Sequence, residues 1–186
     1  MRVLSAPTTG GRLPGVRAEI ERESERLSLV RAQMRTIEAQ QHQALEAGSE
    51  TQVARLARLG AIGVSSGWVL VKELFGWRHF RNRREVAGCL GLAPSPYASG
   101  ESQTEQRISK AGNRRVRTLL VELAWSWLRY QPHSVLSKWF SRRFACAGKR
   151  MRRIGIVALA RRLAIALWRY LEEGLIPQGA RLKAIT

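Results

Sequence analysis

Apolar residues recur at helical spacing along most of the chain. Between Val16 and Ala47, the residues Ile20, Leu27, Val30, Met34, Ile37 and Leu45 fall three, four, seven or eight positions apart, with Arg and Glu between them. This predicts one long helix carrying a narrow apolar stripe. The stripe suits a coiled-coil arm or a helical hairpin, and equally a helix lying against its own domain. Gly48-Ser49 reads as the end of this helix, and Ser49 or Thr51 as the cap of the next. Further helices are predicted near 51–59, 65–75, 82–89, 113–130, 133–144 and 150–173. The 113–130 helix carries Val116, Leu119, Leu120, Leu123, Ala124, Trp127 and Leu128 at helical spacing, which predicts a central position. The last helix, with Ile156, Leu159, Leu163, Leu167 and Leu171, is expected beside it. Residues 91–112 (GLAPSPYASGESQTEQRISKAG) lack periodicity, and a Pro/Ser/Gly-rich stretch of that length is more often functional than idle. The expected fold class is therefore all-α. It comprises a Pro/Gly-rich start and a long connecting helix over 1–50, a basic helical domain over 51–180, and a tail over 181–186.

Charge divides the same sequence. The 186 residues carry 32 Lys+Arg against 14 acidic residues, a net charge of +18, and 45% are apolar. That apolar fraction excludes a disordered chain and is enough for one domain with a core plus an arm. Residues 1–50 hold seven Arg and seven Glu, whereas residues 72–162 hold twenty Lys+Arg and five Glu, a net of +15. The excess charge thus sits on the second part, and a polyanion, most simply nucleic acid, is the implied partner. A ribosomal-type RNA-binding protein shares this composition. All 14 acidic residues are Glu; without Asp, the chain is a poor candidate for a carboxylate cluster around Mg²⁺, so no cofactor is expected in it. Cys89 and Cys146 have no His or Cys at metal-ligand spacing and read as reduced core residues of a cytoplasmic protein. Residues 1–16 lack the apolar run of a signal peptide. The most apolar stretch, Ile154 to Trp168, is interrupted by Arg161 and Arg162. Each Arg costs about 3 kcal/mol at a bilayer centre, so no membrane partner is expected.

Three segments carry candidate chemistry. Leu56-x-x-Leu59-x-Ala61-Ile62-Gly63-x-x-x-Gly67-x-x-Leu70 resembles a helix-hairpin-helix, in which the N–H groups of a turn such as that at Gly63 bind a DNA phosphate. Here Ala61 replaces the usual first Gly and Gly67 the usual Ala. Trp77-Arg78-His79-Phe80-Arg81-Asn82-Arg83-Arg84 interleaves aromatic rings with guanidinium groups, a pattern that holds phosphates and stacks on bases. Its alternative is a solvated charged turn anchored by Trp77 and Phe80. The third segment places Ser99 beside Gly100, followed by Arg107, Lys110, Arg114 and Arg115. A serine attacks phosphorus only when its proton is removed and the developing charge is stabilised, and these cations suit the second task.

Gly-Leu-x-Pro at 91–94, Ser-Gly-Glu at 99–101 and Ile-Ser-Lys-Ala-Gly-Asn-Arg-Arg-Val-Arg at 108–117 follow the hairpin in order. This string resembles the C-terminal transposase domain of the IS110/IS116 insertion-sequence family, relatives of Piv-type DNA invertases, over about residues 12–180. The resemblance implies DNA transposition and recombination, with Ser99 as the nucleophile on a DNA phosphate. It also implies Arg107, Lys110, Asn113, Arg114, Arg115 and Arg117 as nucleic-acid contacts, beside Gly63, Arg81, Arg83 and Arg84 from the two upstream segments. In that family an N-terminal RuvC-like domain supplies the acidic Mg²⁺ site, long helices mediate assembly, and many members are guided by a structured RNA. That acidic domain is not in this sequence, so Mg²⁺ is expected only with it and the chain alone is expected to be inactive. DNA, a structured guide RNA, and a homo-oligomer or a full-length transposase joined through the N-terminal helix are the implied partners. The implied location is the bacterial cytoplasm, with the nucleoid. The alternative is a non-catalytic remnant that binds DNA, RNA or intact transposase copies.

Overall fold

The computed structural model describes residues 14–99 and 102–183, with side chains described for 15–93 and 108–183. Seven α-helices account for most of it: α1 (Pro14–Glu46), α2 (Thr51–Ala57), α3 (Val64–Leu70), α4 (Arg83–Cys89), α5 (Arg114–Tyr130), α6 (Val135–Phe144) and α7 (Lys149–Glu173). The helical class is the expected one. A two-stranded antiparallel hairpin, β1 (Pro94–Ser99) and β2 (Ser102–Ile108), occupies the segment that has no helical period.

The chain divides into two compact units, Met1–Gln40 and Gln41–Thr186. In the first, the apolar stripe of α1 is exposed: Ile20 is 51%, Leu27 49%, Met34 55% and Ile37 53% accessible. Ile20, Leu27 and Met34 are seven apart and Val30 and Ile37 seven apart, which is the spacing of an a/d seam. In the last turn, Leu45 packs on the core of the second unit. Gly48, at φ +71°, ends α1; its N–H donates to Leu45 O at 3.0 Å and the Ser49 N–H to Ala44 O at 3.2 Å. This is a Schellman stop. Neither Ser49 nor Thr51 caps α2. Glu50 holds that position without a side-chain bond, and Ser49 Oγ turns back to Ala44 O at 2.8 Å.

The core of the second unit is built where sequence periodicity places it. From α5, Val116, Leu120, Leu123, Ala124 and Trp127 are buried against α7, which contributes Leu159, Leu163 and Leu167. Val53, Leu56, Leu70 and Leu74 of the α2–α3 hairpin and Val86 of α4 complete the cluster. Trp127 Nε1 donates to Ser134 Oγ at 2.9 Å, and Ser134 also accepts from Ser137 N as the cap of α6. A buried indole therefore keeps a polar partner. Helix α3 runs on into a π-turn, Val71–Phe75, closed by Gly76 N–H to Val71 O at 2.7 Å. A Cβ on Gly76 would lie 2.8 Å from that oxygen, so only glycine closes the turn without displacement.

Residues after α7 double back over the α2–α3 turn. Leu182 forms a β-bridge with Leu59, Gly60 N–H donates to Arg181 O at 3.1 Å, and Lys183 N–H donates to Arg58 O at 2.7 Å. Gln131, 1% accessible, grips the same strap: its Nε2 donates to Arg181 O at 2.8 Å and its Oε1 accepts from Arg181 N at 2.7 Å.

Candidate nucleic-acid interface

Two of the sequence motifs meet at the root of the β-hairpin. Gly91 (φ +63°) and Gly112 (φ +119°) face one another there: a Cβ on Gly91 would lie 2.2 Å from Ala111 O, and one on Gly112 2.2 Å from Cys89 O. No side chain fits at either place, and the positive φ values add strain for any other residue. Bonds from Lys110 N–H to Gly91 O (3.2 Å), Ser109 N–H to Ala93 O (3.0 Å) and Asn113 N–H to Cys89 O (3.3 Å) close the clasp. The Gly-Leu-x-Pro and Lys-Ala-Gly-Asn motifs are thus two halves of one neck joining the end of α4 to the start of α5.

The residues singled out from sequence divide by what they touch. Asn113 caps α5, its Oδ1 accepting from Val116 N at 3.1 Å, while its Nδ2 donates to Glu73 Oε2 at 3.0 Å. Arg117 donates from Nη1 to Leu90 O at 3.1 Å and to Lys110 O at 3.0 Å, tying both sides of the neck together. These two side chains are engaged within the protein. Arg115 is exposed at the same helix start and pairs with Glu73 at 2.8 Å. Lys110 is exposed, and at φ +55° it is the non-glycine residue with positive φ among those described. Arg114 is exposed and forms no ion pair among the described residues.

Arg81, Arg83 and Arg84 cluster at the start of α4, exposed and likewise without ion pairs among the described residues. Asn82 caps that helix, accepting from Arg84 N (2.9 Å) and Glu85 N (3.1 Å), and Glu85 accepts from Arg81 N at 2.9 Å. With the backbone donors satisfied, the three guanidinium groups are left to solvent. Beside them Trp77 is 59% exposed, with the Arg78 guanidinium 4.3 Å over its ring. Arg78 also donates to Cys89 Sγ at 3.1 Å. Cys89 is half-buried, while Cys146 is exposed and does not belong to the core.

Gly63 lies elsewhere, as the N-cap residue of α3, with φ −87° and open space where a Cβ would stand. The start of α3 at Gly63 has no side-chain cap, whereas the N–H groups of the turn before it are engaged. The Gly60 N–H bonds the C-terminal strap, and those of Ala61 and Ile62 bond Leu59 O at 2.9 and 3.0 Å. Ser99 ends β1, opposite Ser102 in the hairpin register; residues 100 and 101, and the side chains of Ser99 and Arg107, lie outside the described residues.

A Mg²⁺ site does not fit the described residues. No group of three His, Cys, Asp or Glu is close enough among them to hold a metal. The carboxylates of this region are already engaged, Glu73 by Asn113 and Arg115 and Glu85 by Arg81 N and Asn82. Among the described residues, no helix is long and apolar enough to cross a membrane.

Glu73 escaped the sequence reading, although it orders the start of α5. Its signal was its rarity: it is one of five Glu amid twenty cations.

The sequence of this basic helical domain is similar to that of transposases. Residues 53–139 match the transposase IS116/IS110/IS902 family. It is 40% identical over 179 residues to a putative transposase, y4rJ, of Sinorhizobium fredii, covering 90% of this chain and 45% of that protein. A probable family 20 transposase of Pseudomonas aeruginosa is 30% identical over 164 residues, 87% of this chain and 47% of its own length. The transposase for insertion sequence element IS1328 of Yersinia enterocolitica is 28% identical over 125 residues, 66% of this chain and 36% of its own. The chain thus spans about half the length, or less, of these curated relatives.

Proposed function

We propose that this chain is the DNA-engaging C-terminal part of a transposase, in which the hairpin presents Ser99 to a DNA phosphate while the cations at its root hold the backbone further along. The observation that carries this reading is the neck. One clasp fixes the root of the strand that ends at Ser99 and the start of α5, and Lys110, Arg114 and Arg115 are exposed beside it. In the proposed step, Ser99 Oγ loses its proton and bonds to phosphorus, the bond from phosphorus to the 3′ or 5′ oxygen of the cleaved strand breaks, that oxygen takes up a proton, and a phosphoserine ester joins protein to DNA. The cations at the root, about 17 Å from Ser99 along a six-residue strand, hold neighbouring phosphates of the same DNA. Exposed Arg81, Arg83 and Arg84, with Trp77, extend the contact along the backbone. The exposed a/d seam of α1 supports assembly with a second helix of the same kind, from another copy or an intact transposase. A structured guide RNA is a further candidate partner for the same cations.

The test is recombination by the element that encodes the chain, with Ser99→Ala compared with wild type. Excision is expected to fall to background while DNA binding persists. Undiminished excision by Ser99→Ala would overturn the nucleophile assignment.

A further inference from the structure

The densest positive patch is neither on the hairpin nor on α4. Arg142 and Arg143 close α6, and Lys149, Arg150, Arg152 and Arg153 open α7. These six cations fall within residues 142–153, a stretch without a carboxylate, and all six are exposed. None forms an ion pair among the described residues. The family match ends at residue 139, before this corner begins.

The corner is stiff. A Cβ on Gly155 would lie 2.6 Å from Phe144 Cγ, so α7 comes into direct contact with the end of α6. Phe144 packs edge-on to Trp139 at 5.6 Å and against Phe140 at 5.5 Å, and Arg162 lies 4.0 Å over the Trp139 ring. The two short runs of charge are therefore held together by an aromatic wedge beneath them.

Four of the six cations also stand where a helix disfavours them. The first turn of α7 has no acidic residue and no side-chain cap, and positive side chains at a helix N-terminus oppose its dipole. Arg142 and Arg143, at the C-terminus of α6, are on the favoured side. A surface that concentrates unscreened charge against the helix dipole gains by binding an anion. Five of the six are arginines, whose planar fork suits phosphate oxygens. No aromatic ring is exposed within 142–153 to stack on an unpaired base, which favours a paired helix over a single strand.

We propose that the α6–α7 corner is a second DNA-binding surface, which grips the phosphate backbone of duplex DNA without reading its sequence. This rests on the nucleic-acid reading above and adds to it a separate site. In the full chain, the exposed triple variant R150Q/R152Q/R153Q would be compared with R81Q/R83Q/R84Q and wild type on a random-sequence duplex from about 50 to 200 mM salt. Circular dichroism and thermal melting would check that each variant keeps its fold. The corner variant is expected to lower the slope of log K against log salt by about 2 to 3, near 0.9 for each phosphate that is no longer neutralised. That decrease should add to the one in the α4 variant, as it does for independent sites. An unchanged slope in the corner variant, with the α4 variant impaired, overturns the second surface and leaves the general reading standing. Wild-type chain that binds no duplex overturns both. A corner effect confined to an RNA hairpin, or to vesicles of anionic lipid, assigns the patch to another partner and overturns the proposal.

Discussion

At the residue scale, the motif Lys-Ala-Gly-Asn-Arg-Arg-Val-Arg shows how neighbouring positions divide structural from functional work. Asn113 and Arg117 spend their donors on Glu73 and on the carbonyls of Leu90 and Lys110, whereas Arg114 faces solvent. Replacing Arg117 by Ala should destabilise the domain by about 1–3 kcal/mol, because it strands two carbonyls at the neck. Replacing Arg114 by Ala should leave stability within about 0.5 kcal/mol but weaken DNA binding. Urea unfolding and a DNA titration on both variants check the division. Equal stability for the two would show that Arg117 does not hold the neck. The sequence places all of these cations in one motif, but charge and spacing are the same for a side chain that braces a loop and one that awaits a ligand. Only the positions of the carbonyls tell them apart.

At the scale of elements, the six helices after α1 stand within a few residues of where periodicity puts them, as apolar spacing and burial obey the same rule. The hairpin was not legible. Its strands, PSPYAS and SQTEQRI, have few β-branched or alternating apolar residues, and the bonds at its neck come from residues that are distant in sequence. The strap over the α2–α3 turn was equally hidden, since its partner Gln131 lies fifty positions away. Gln131→Ala should cost about 2 kcal/mol, through the broken hydrogen bonds and a small cavity, and increase amide exchange at Gly60 and Lys183. Exchange unchanged at both would mean that the strap holds without Gln131. On α1, Met34→Glu places a charge in the a/d seam and should shift sedimentation from an assembly to a single chain. Identical sedimentation for variant and wild type would remove the seam as an assembly surface.

At the scale of the whole molecule, the partition of charge governs behaviour. The excess charge sits on the exposed cations of α4, of the start of α5 and of the α6–α7 corner, while α1 is close to neutral. Affinity for random duplex DNA should therefore fall steeply with salt, by about a thousandfold or more between about 50 and 200 mM for six or more phosphate contacts. Filter binding across that range checks it. Affinity that holds steady over the range would mean that contacts other than ionic ones dominate.

By itself the sequence determined the helical class, the helix limits to within a few residues, the central pairing of α5 with α7, the basic character of the domain and its resemblance to a transposase family. Each follows from local periodicity, from composition, or from a linear motif. Tertiary structure decided that the motif glycines form a clasp, that Asn113 and Arg117 brace it, that the Gly60, Ala61 and Ile62 N–H groups are taken up internally, and that two runs of cations meet at one corner. These depend on which distant backbone groups come within hydrogen-bonding reach, a property of the folded chain that spacing along the sequence does not encode.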